Sequence, residues 1–276
     1  MPVYINDQFT DNEKATLHVS DLSIQRGFAV FDFCRTVNGV PLFLNDHLER
    51  FLHSAHAMRL QVPYTKPQLI DIIRELVQRS GIADAGIRIM LTGGYSADSY
   101  HPAKPNLVIT CNAVRSTTQA DFDKGLSAIT YEYQRELAHI KSINYLMAVW
   151  LQPMLRVQQA DDVIYFNKQS ITEFPRSNVF IVTAAGKLIT PAHNILQGIT
   201  RKKILSLADG IIEVEERDIS VEELQQASEI FTTSTTKKVL PVVKLNGKAV
   251  NDGRPGNISK RLYEEFLALE QTSIQL

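Results

Sequence analysis

The sequence is poor in the features that mark specialised chains. Its 276 residues contain two cysteines, Cys34 and Cys111, too few for a disulfide scaffold or a structural zinc site. No apolar run approaches the roughly 20 residues that span a bilayer. The opening MPVYINDQFT has no basic-then-apolar export pattern, so a cytoplasmic location and no membrane partner are expected. Neither sign of charge dominates, with 29 Lys+Arg against 30 Asp+Glu. The large basic field that non-specific nucleic-acid binding needs is therefore missing. Short repeats, heptad arrays and low-complexity segments are absent. So are the Walker A loop, G-x-G-x-x-G, G-x-S-x-G and H-E-x-x-H. His53 and His56 share a helix face, but one such pair reads as solvated surface rather than a metal site.

What is present is ordinary globular composition, 44% hydrophobic and 21% charged, at a length that suits two domains better than one. Phe28 to Val37 reads as a strand, Asn38-Gly39 as a hairpin turn and Pro41 to Leu44 as the return. Leu48, Phe51, Leu52, Ala55 and Met58 form the stripe of an amphipathic helix. A second helix runs from Pro67 to a stop at Gly81. Gly86 to Thr92 and Asn106 to Asn112 read as strands around a loop holding Gly93-Gly94. The polar, aperiodic stretch after Ala113 is the best boundary, giving domains over 1–114 and 125–276 with a linker at 115–124. Beyond it, Ser142 to Val157 reads as one long helix, followed by strands at 163–167, 179–183, 187–190, 230–233 and 239–245. A helix opens at Thr200, and another runs from Asn257 to Leu269. Strands and helices mix without regular βαβ alternation, so the fold class is α+β.

Three features carry chemistry. An anion site is present in pieces: the hydroxyl run Thr232-Thr233-Ser234-Thr235-Thr236, and Gly198-Ile199-Thr200-Arg201 opening a helix whose free N–H groups favour negative charge. Lys141 stands between apolar neighbours at a strand-to-helix junction, where partial desolvation suits Schiff-base chemistry. Tyr145, four residues on, shares its face if the segment is helical. Glu173, in the turn Glu173-Phe174-Pro175-Arg176-Ser177-Asn178, is a carboxylate placed to pair with a basic ring nitrogen. Each taken alone is better explained by an ordinary strand, turn or domain edge.

Their order along the chain resembles the pyridoxal-phosphate enzymes of fold type IV, which include D-amino-acid and branched-chain aminotransferases and aminodeoxychorismate lyases. The resemblance runs through nearly the whole chain. Its markers are Arg26-Gly27, the segment Leu44 to Phe51, Lys141 with Asn144-Tyr145-Leu146, Glu173 with Ser177-Asn178-Val179-Phe180, Ile195 to Arg201, and Ser234-Thr235-Thr236 before Val239-Leu240-Pro241-Val242. It implies a small α/β N-terminal domain, a larger pseudo-barrel C-terminal domain, a homodimer sharing its active sites, and pyridoxal 5'-phosphate as cofactor. It makes Lys141 the Schiff-base lysine and Glu173 the acid on the pyridine nitrogen. It gives Arg50, Ile199, Thr200, Ser234 and Thr235 to the phosphate, Tyr145 to the phenolic oxygen, and Asn178 a place near the ring.

Within that family the substrate depends on where the α-carboxylate is clamped. The Arg-x-His clamp of well-known D-amino-acid aminotransferases is missing from the loop Gly93 to His101, and Arg35 replaces their first-strand tyrosine. Phe31-Asp32-Phe33-Cys34-Arg35 matches the branched-chain signature only in part, because Phe33 stands where that signature has glycine. Other cations are on offer. Arg88 shares a sheet face with Met90, Arg26 stands where a neighbouring subunit lends a residue, and Lys237 follows the phosphate turn; these three, with the Thr236 hydroxyl beside Lys237, are the expected substrate contacts. Arg35 and Arg176 either reach the pocket or are used elsewhere. A cationic pocket suits an extra carboxylate and not a bare alkyl chain. The expectation is a transaminase moving an amino group from a D-amino acid of the D-alanine or D-glutamate type to 2-oxoglutarate or pyruvate, its clamp built from Arg26 and Arg88. A branched-chain L-aminotransferase is the alternative, then aminodeoxychorismate lyase, and outside catalysis a cofactor-binding protein that has lost activity.

Overall fold

The computed structural model describes residues 1–275. They form two compact units. Met1–Arg115 and Ile140–Asn144, with residues 273–275, make the first; Ser116–His139 and Tyr145–Thr272 make the second. No helix among the described residues is long and apolar enough to cross a membrane.

The first unit opens with a hairpin of β1 (Pro2–Ile5) and β2 (Gln8–Asp11). Its turn residues Asn6 and Asp7 take left-handed backbone, which these residue types tolerate; four-residue strands are too short to announce themselves by period. Then come α1 (Leu22–Arg26), β3 (Ala29–Val37), β4 (Val40–Pro41), α2 (Leu44–Ala57), α3 (Lys66–Ser80), β5 (Ala85–Thr92) and β6 (Leu107–Ala113). The strands form an antiparallel sheet in the order β2-β1-β6-β5-β3-β4. Leu48, Phe51 and Ala55 of α2 and Leu69, Ile73 and Leu76 of α3 pack with Val30, Cys34, Ile87 and Ile89 in one core. Thr65 caps α3 in a reciprocal box with Gln68, and Gly81 closes it at φ 65°, a left-handed conformation that costs glycine nothing.

The period of two assigns β3 two faces. Val30, Asp32 and Cys34 point to the helices, while Phe31, Phe33 and Arg35 lie opposite. On that second face Phe31 pairs with Met90, Phe33 with Arg88 and Arg35 with Gly86. A Cβ on Gly86 would come within 2.6 Å of the Phe33 ring, so the ring Phe33 brings here lies where only glycine leaves room.

The second unit holds α4 (Gln119–Lys124), β7 (Leu126–Glu132), α5 (Leu146–Trp150), α6 (Gln152–Val157), β8 (Asp162–Asn167), β9 (Ser170–Ile171), β10 (Asn178–Val182), β11 (Lys187–Thr190), α7 (Ile199–Ala208), β12 (Glu213–Glu216), α8 (Val221–Gln225), β13 (Glu229–Ser234), β14 (Lys238–Leu245), β15 (Lys248–Ala249) and α9 (Asn257–Ser273). Its sheet runs β12-β11-β10-β13-β14-β7-β8-β9, with β15 on β14. The pairs β11–β12, β14–β7 and β7–β8 are parallel. Val179, Ile181, Ile189, Ile230 and Val242 share a core, and Phe180 stacks on Phe231 with centroids 5.1 Å apart.

Three local differences from the sequence reading have plain causes. The stretch 115–124, expected as a linker, divides between the units after Arg115. Residues 119–124 form α4, capped by Thr118 and Asp121 and anchored by Phe122 stacked 4.5 Å from Tyr263. The long helix expected over 142–157 is two short ones, because Pro153 near the start of α6 has no N–H for the carbonyl four residues back. Residues 141–143 are not helical at all: Phe31 N donates to the Lys141 carbonyl at 2.9 Å and Ile143 N to the Ala29 carbonyl at 3.2 Å.

Candidate active site

In the first unit the chemistry gathers around β3, α2 and the 140–144 segment. Helix α2 carries His47, Arg50 and Ser54 at spacings of three and four, which place them on one face. Asp32 faces them from β3, fully buried. Arg50 donates from Nε to Asp32 Oδ2 and from Nη2 to Oδ1, both at 2.8 Å, a bidentate fork that fixes the guanidinium plane. His47 Nδ1 lies 2.8 Å from Asp32 Oδ1. Burial alone would raise the Asp32 carboxyl, but the Arg50 charge and the bonds from Arg50 and His47 outweigh it and hold the group well below the usual carboxylate range. Burial pushes the His47 imidazole down from 6.5, against the pull of Asp32. His47 is thus neutral, and its Nδ1–H donates to the carboxylate.

One turn further along α2, Ser54 is buried and its Oγ accepts the Lys141 backbone N–H at 3.2 Å. Lys141 is therefore held from two sides, by α2 through its N–H and by β3 through its carbonyl. Its Nζ lies 4.6 Å from the centroid of the Phe31 ring. The Arg88 guanidinium lies 4.8 Å from the same centroid. Arg88 and Met90 share that face, as the alternation of β5 implies, and Arg88 is exposed while Ile87 and Ile89 are buried. Arg35 is buried on the same strand face. Arg26 ends α1, exposed, with Nη1 donating to the Gln25 carbonyl.

In the second unit Glu173 is buried between two donors. Arg135 Nε reaches its Oε1 at 2.9 Å and Leu196 N reaches its Oε2 at 2.9 Å. Arg135 in turn donates Nη2 to the Ala138 carbonyl. Asn178, also buried, donates Nδ2 to the Leu196 carbonyl at 2.7 Å. Its Oδ1 sits so close to Gly198 that a Cβ there would approach to 2.0 Å. Asn178 pairs in backbone register with Thr233 of β13, so this one residue links the end of β13 to the Leu196 carbonyl and the start of α7.

Gly198 opens α7 with no side-chain cap. Ile199, Thr200 and Arg201, whose N–H groups form the first turn, are buried, and Thr233 Oγ1 is buried without a hydrogen-bond partner among the described residues. Uncapped first-turn donors, hydroxyls and one orphaned polar atom form a donor set of the kind a phosphate needs. Ser234 Oγ accepts the Lys237 N–H across the turn at 3.2 Å, with Thr235 and Thr236 half-buried between them. The Thr236 carbonyl accepts Thr117 N. Lys237 is drawn away, its Nζ 2.5 Å from Asp162 Oδ2, and Arg176 is exposed in its turn. Tyr145 is the N-cap residue of α5 and so does not share a helical face with Lys141. His53 and His56 are exposed, and the described residues contain no cluster fit for a metal ion.

Asp32, His47, Ser54 and Arg135 take part in this arrangement although the sequence reading did not select them. Asp32 had a usable signal: an acid between Val30 and Cys34 on the inward register of a strand requires a buried cation, and the next helix carries Arg50.

Comparison with known proteins agrees with this geometry. The profile of the family Amino-transferase class IV matches residues 29–245. The D-alanine aminotransferase of Staphylococcus haemolyticus is 32% identical over 270 residues, covering 96% of each chain. A putative branched-chain-amino-acid aminotransferase of Methanocaldococcus jannaschii is also 32% identical, over 276 residues, covering 96% of this chain and 95% of its own. Among solved structures, the branched-chain aminotransferase of Thermoproteus uzoniensis with norvaline superposes with a TM-score of 0.89 at 26% identity, over 99% of this chain and 95% of that one. The Escherichia coli branched-chain amino acid aminotransferase gives 0.90 at 25%, over 98% and 94%. The chain belongs to the class IV aminotransferases, with the fold type IV architecture, and it uses pyridoxal phosphate.

Proposed function

We propose that this aminotransferase takes the amino group of a D-amino acid, of the D-alanine or D-glutamate type, and passes it to 2-oxoglutarate or pyruvate. The observation that carries the reading is the placement of Arg88 and Lys141 against one Phe31 ring. A cation on the same ring as the reactive lysine is positioned to hold a carboxylate of the substrate while Lys141 works at its Cα.

Bound pyridoxal phosphate supplies an electron sink for the pair left on the substrate Cα when its proton departs. Lys141 would carry the cofactor, and its Nζ would take up the Cα proton and return it. Glu173, its carboxylate aimed by Arg135 and Leu196 N, would keep the ring nitrogen protonated. Arg50 would hold the phosphate, and Ile199 N, Thr200, Ser234 and Thr235 are donors of the kind that would hold it as well. Tyr145 would be the partner of the cofactor's phenolic oxygen. Asn178 acts by holding the loop at Leu196 and Gly198. Arg26, exposed at the end of α1, is lent to the site of a neighbouring subunit and joins Arg88 in clamping carboxylate.

That arrangement requires a homodimer. Leu146, Val149, Trp150 and Val157 of α5 and α6 are each more than half exposed, a concentration of large apolar side chains that suits a subunit interface.

The branched-chain alternative draws on Arg35, buried beside Phe33 on the same strand face. A half-reaction assay separates the two. Holoenzyme mixed with D-alanine, D-glutamate, L-leucine or L-glutamate is followed by absorbance for conversion to the pyridoxamine form. Conversion by D-amino acids alone, lost in Arg88→Ala, supports the proposal; conversion by L-leucine and L-glutamate alone replaces it with the branched-chain activity.

A further inference from the structure

Arg50 presents an electrostatic puzzle. A residue assigned to a phosphate dianion spends its Nε–Nη2 edge on Asp32, a fully buried acid. With His47 neutral, Asp32 and Arg50 sum to no net charge. If attraction were all that Arg50 offered, Asp32 would be a handicap, and removing its charge would strengthen the site.

The geometry argues the opposite. Asp32 accepts from both Arg50 donors, from His47 Nδ1 and from the Phe33 backbone N–H at 2.7 Å. Those partners come from β3 and from two successive positions on one face of α2. An arginine side chain loses much rotamer freedom when it is ordered, and Asp32 removes that freedom before any ligand arrives. The same face of α2 supplies Ser54, which holds the Lys141 N–H, while β3 holds the Lys141 carbonyl through Phe31 N. One acid therefore sets the phosphate arginine within the frame that also sets the lysine.

We propose that Asp32 is a positioning residue for the cofactor phosphate: it pre-sets the guanidinium of Arg50, with His47 as its brace, so that Arg50 binds by directed hydrogen bonds and not by net charge. The inference rests on the assignment of Arg50 to the phosphate. The charge view and the positioning view differ in sign. Asp32→Asn keeps the shape but replaces one acceptor oxygen with an amide that meets the Arg50 donors with donors of its own.

The test uses holoenzymes of the wild type, Asp32→Asn, Asp32→Glu and Arg50→Ala. Each is diluted, cofactor release is followed by absorbance, and inorganic phosphate is titrated as competitor. Uptake of pyridoxal, which lacks the phosphate, is measured alongside. Asp32→Asn is expected to release pyridoxal phosphate at least tenfold faster while leaving pyridoxal uptake within twofold of wild type, and Asp32→Glu to recover part of the loss. Unchanged or tighter retention in Asp32→Asn overturns the proposal, as does equal weakening of pyridoxal, which marks a general loss of structure. If Arg50→Ala retains cofactor and phosphate sensitivity like wild type, the Arg50 assignment fails, and the proposal with it. Should Asp32→Asn not fold, His47→Gln serves in its place. It removes the brace without touching the ion pair, and release three- to tenfold faster is the supporting result, wild-type release the contrary one.

Discussion

Arg135 points its Nε at Oε1 of Glu173, 2.9 Å away, with both side chains nine-tenths or more buried. A carboxylate in that position without a cation would be strongly disfavoured, and Leu196 N supplies only a neutral donor to the other oxygen. Removing one partner of such a pair typically costs about 3–5 kcal/mol, because the remaining charge stays buried. Arg135→Met should therefore lower stability by about 3 kcal/mol in denaturant unfolding. The double variant with Glu173→Gln should regain a sizeable part of it. Additive losses in the two variants would show that the pair is not coupled.

The acid–imidazole pair on β3 and α2 gives a pH dependence with a definite sign. His47 is held below its unfolded value of about 6.5 by burial. Its folded form therefore binds a proton less readily than its unfolded form. The stabilisation that follows is complete above the unfolded pKa and declines as pH falls from about 6.5 toward the folded value. A plot of Tm against pH should slope downward on the acid side of neutrality in the wild type. In His47→Gln the slope over that window should be shallower. Parallel curves would assign the decline to other groups.

How much of this was legible in the sequence differs by scale. The longer strands show in their apolar runs and bounding turns, and α2 and α3 in their stripes, because each helix buries one face against a single core. Residues 141–145 do not show their form. Nothing local distinguishes a helix start from a segment stitched to β3 by two backbone hydrogen bonds, since the partner lies over a hundred residues away in sequence. The same holds for Lys237. Its spacing after the hydroxyl turn suggests a free cation, whereas Asp162, the acid it pairs with, is remote in sequence. Lys141, Glu173 and Arg50 stood out through the order of motifs. Among the groups that aim them, Asp32 alone left a trace, as an acid on the inward register of its strand; His47, Ser54 and Arg135 depend on pairings that only the folded chain creates.

Phe33 and Gly86 form a matched pair across β3 and β5. Gly86→Ala would bring a Cβ to 2.6 Å from ring atoms of Phe33, and that ring sits beside Arg88 and Arg35 in the register. Overpacking of this kind costs typically 1–3 kcal/mol, so Gly86→Ala alone should destabilise by about that amount. In a Phe33→Gly background the new methyl should be nearly neutral. A double-mutant cycle by urea unfolding should return a coupling of about 1 kcal/mol or more. If the cycle closes to zero, the ring does not depend on the missing Cβ. Phe33→Gly by itself also opens the sheet face that carries Arg88, and so should shift activity toward longer amino-acid side chains.

The last prediction concerns assembly. Trp150 is 64% exposed, with Val149 at 68% and Leu146 at 78% on the same short helix, and Val157 at 84% follows on α6. Such side chains are costly to leave in water at roughly 25 cal/mol per Å², and isolated ones are common. Four within twelve residues form a patch. Burying a Trp against a second copy gives an interface the kind of aromatic anchor that dominates binding energy. Trp150→Glu would place an unpaired carboxylate in that anchor, and should weaken self-association by at least tenfold in sedimentation velocity while leaving far-UV circular dichroism unchanged. Because Arg26 is assigned to the neighbour's site, the same variant should lose half-reaction rate in proportion to the monomer formed. Adding protein back to concentrations that restore the dimer should restore the rate. A variant that stays dimeric, or a monomer with full activity, would remove either the interface or the shared site from the account.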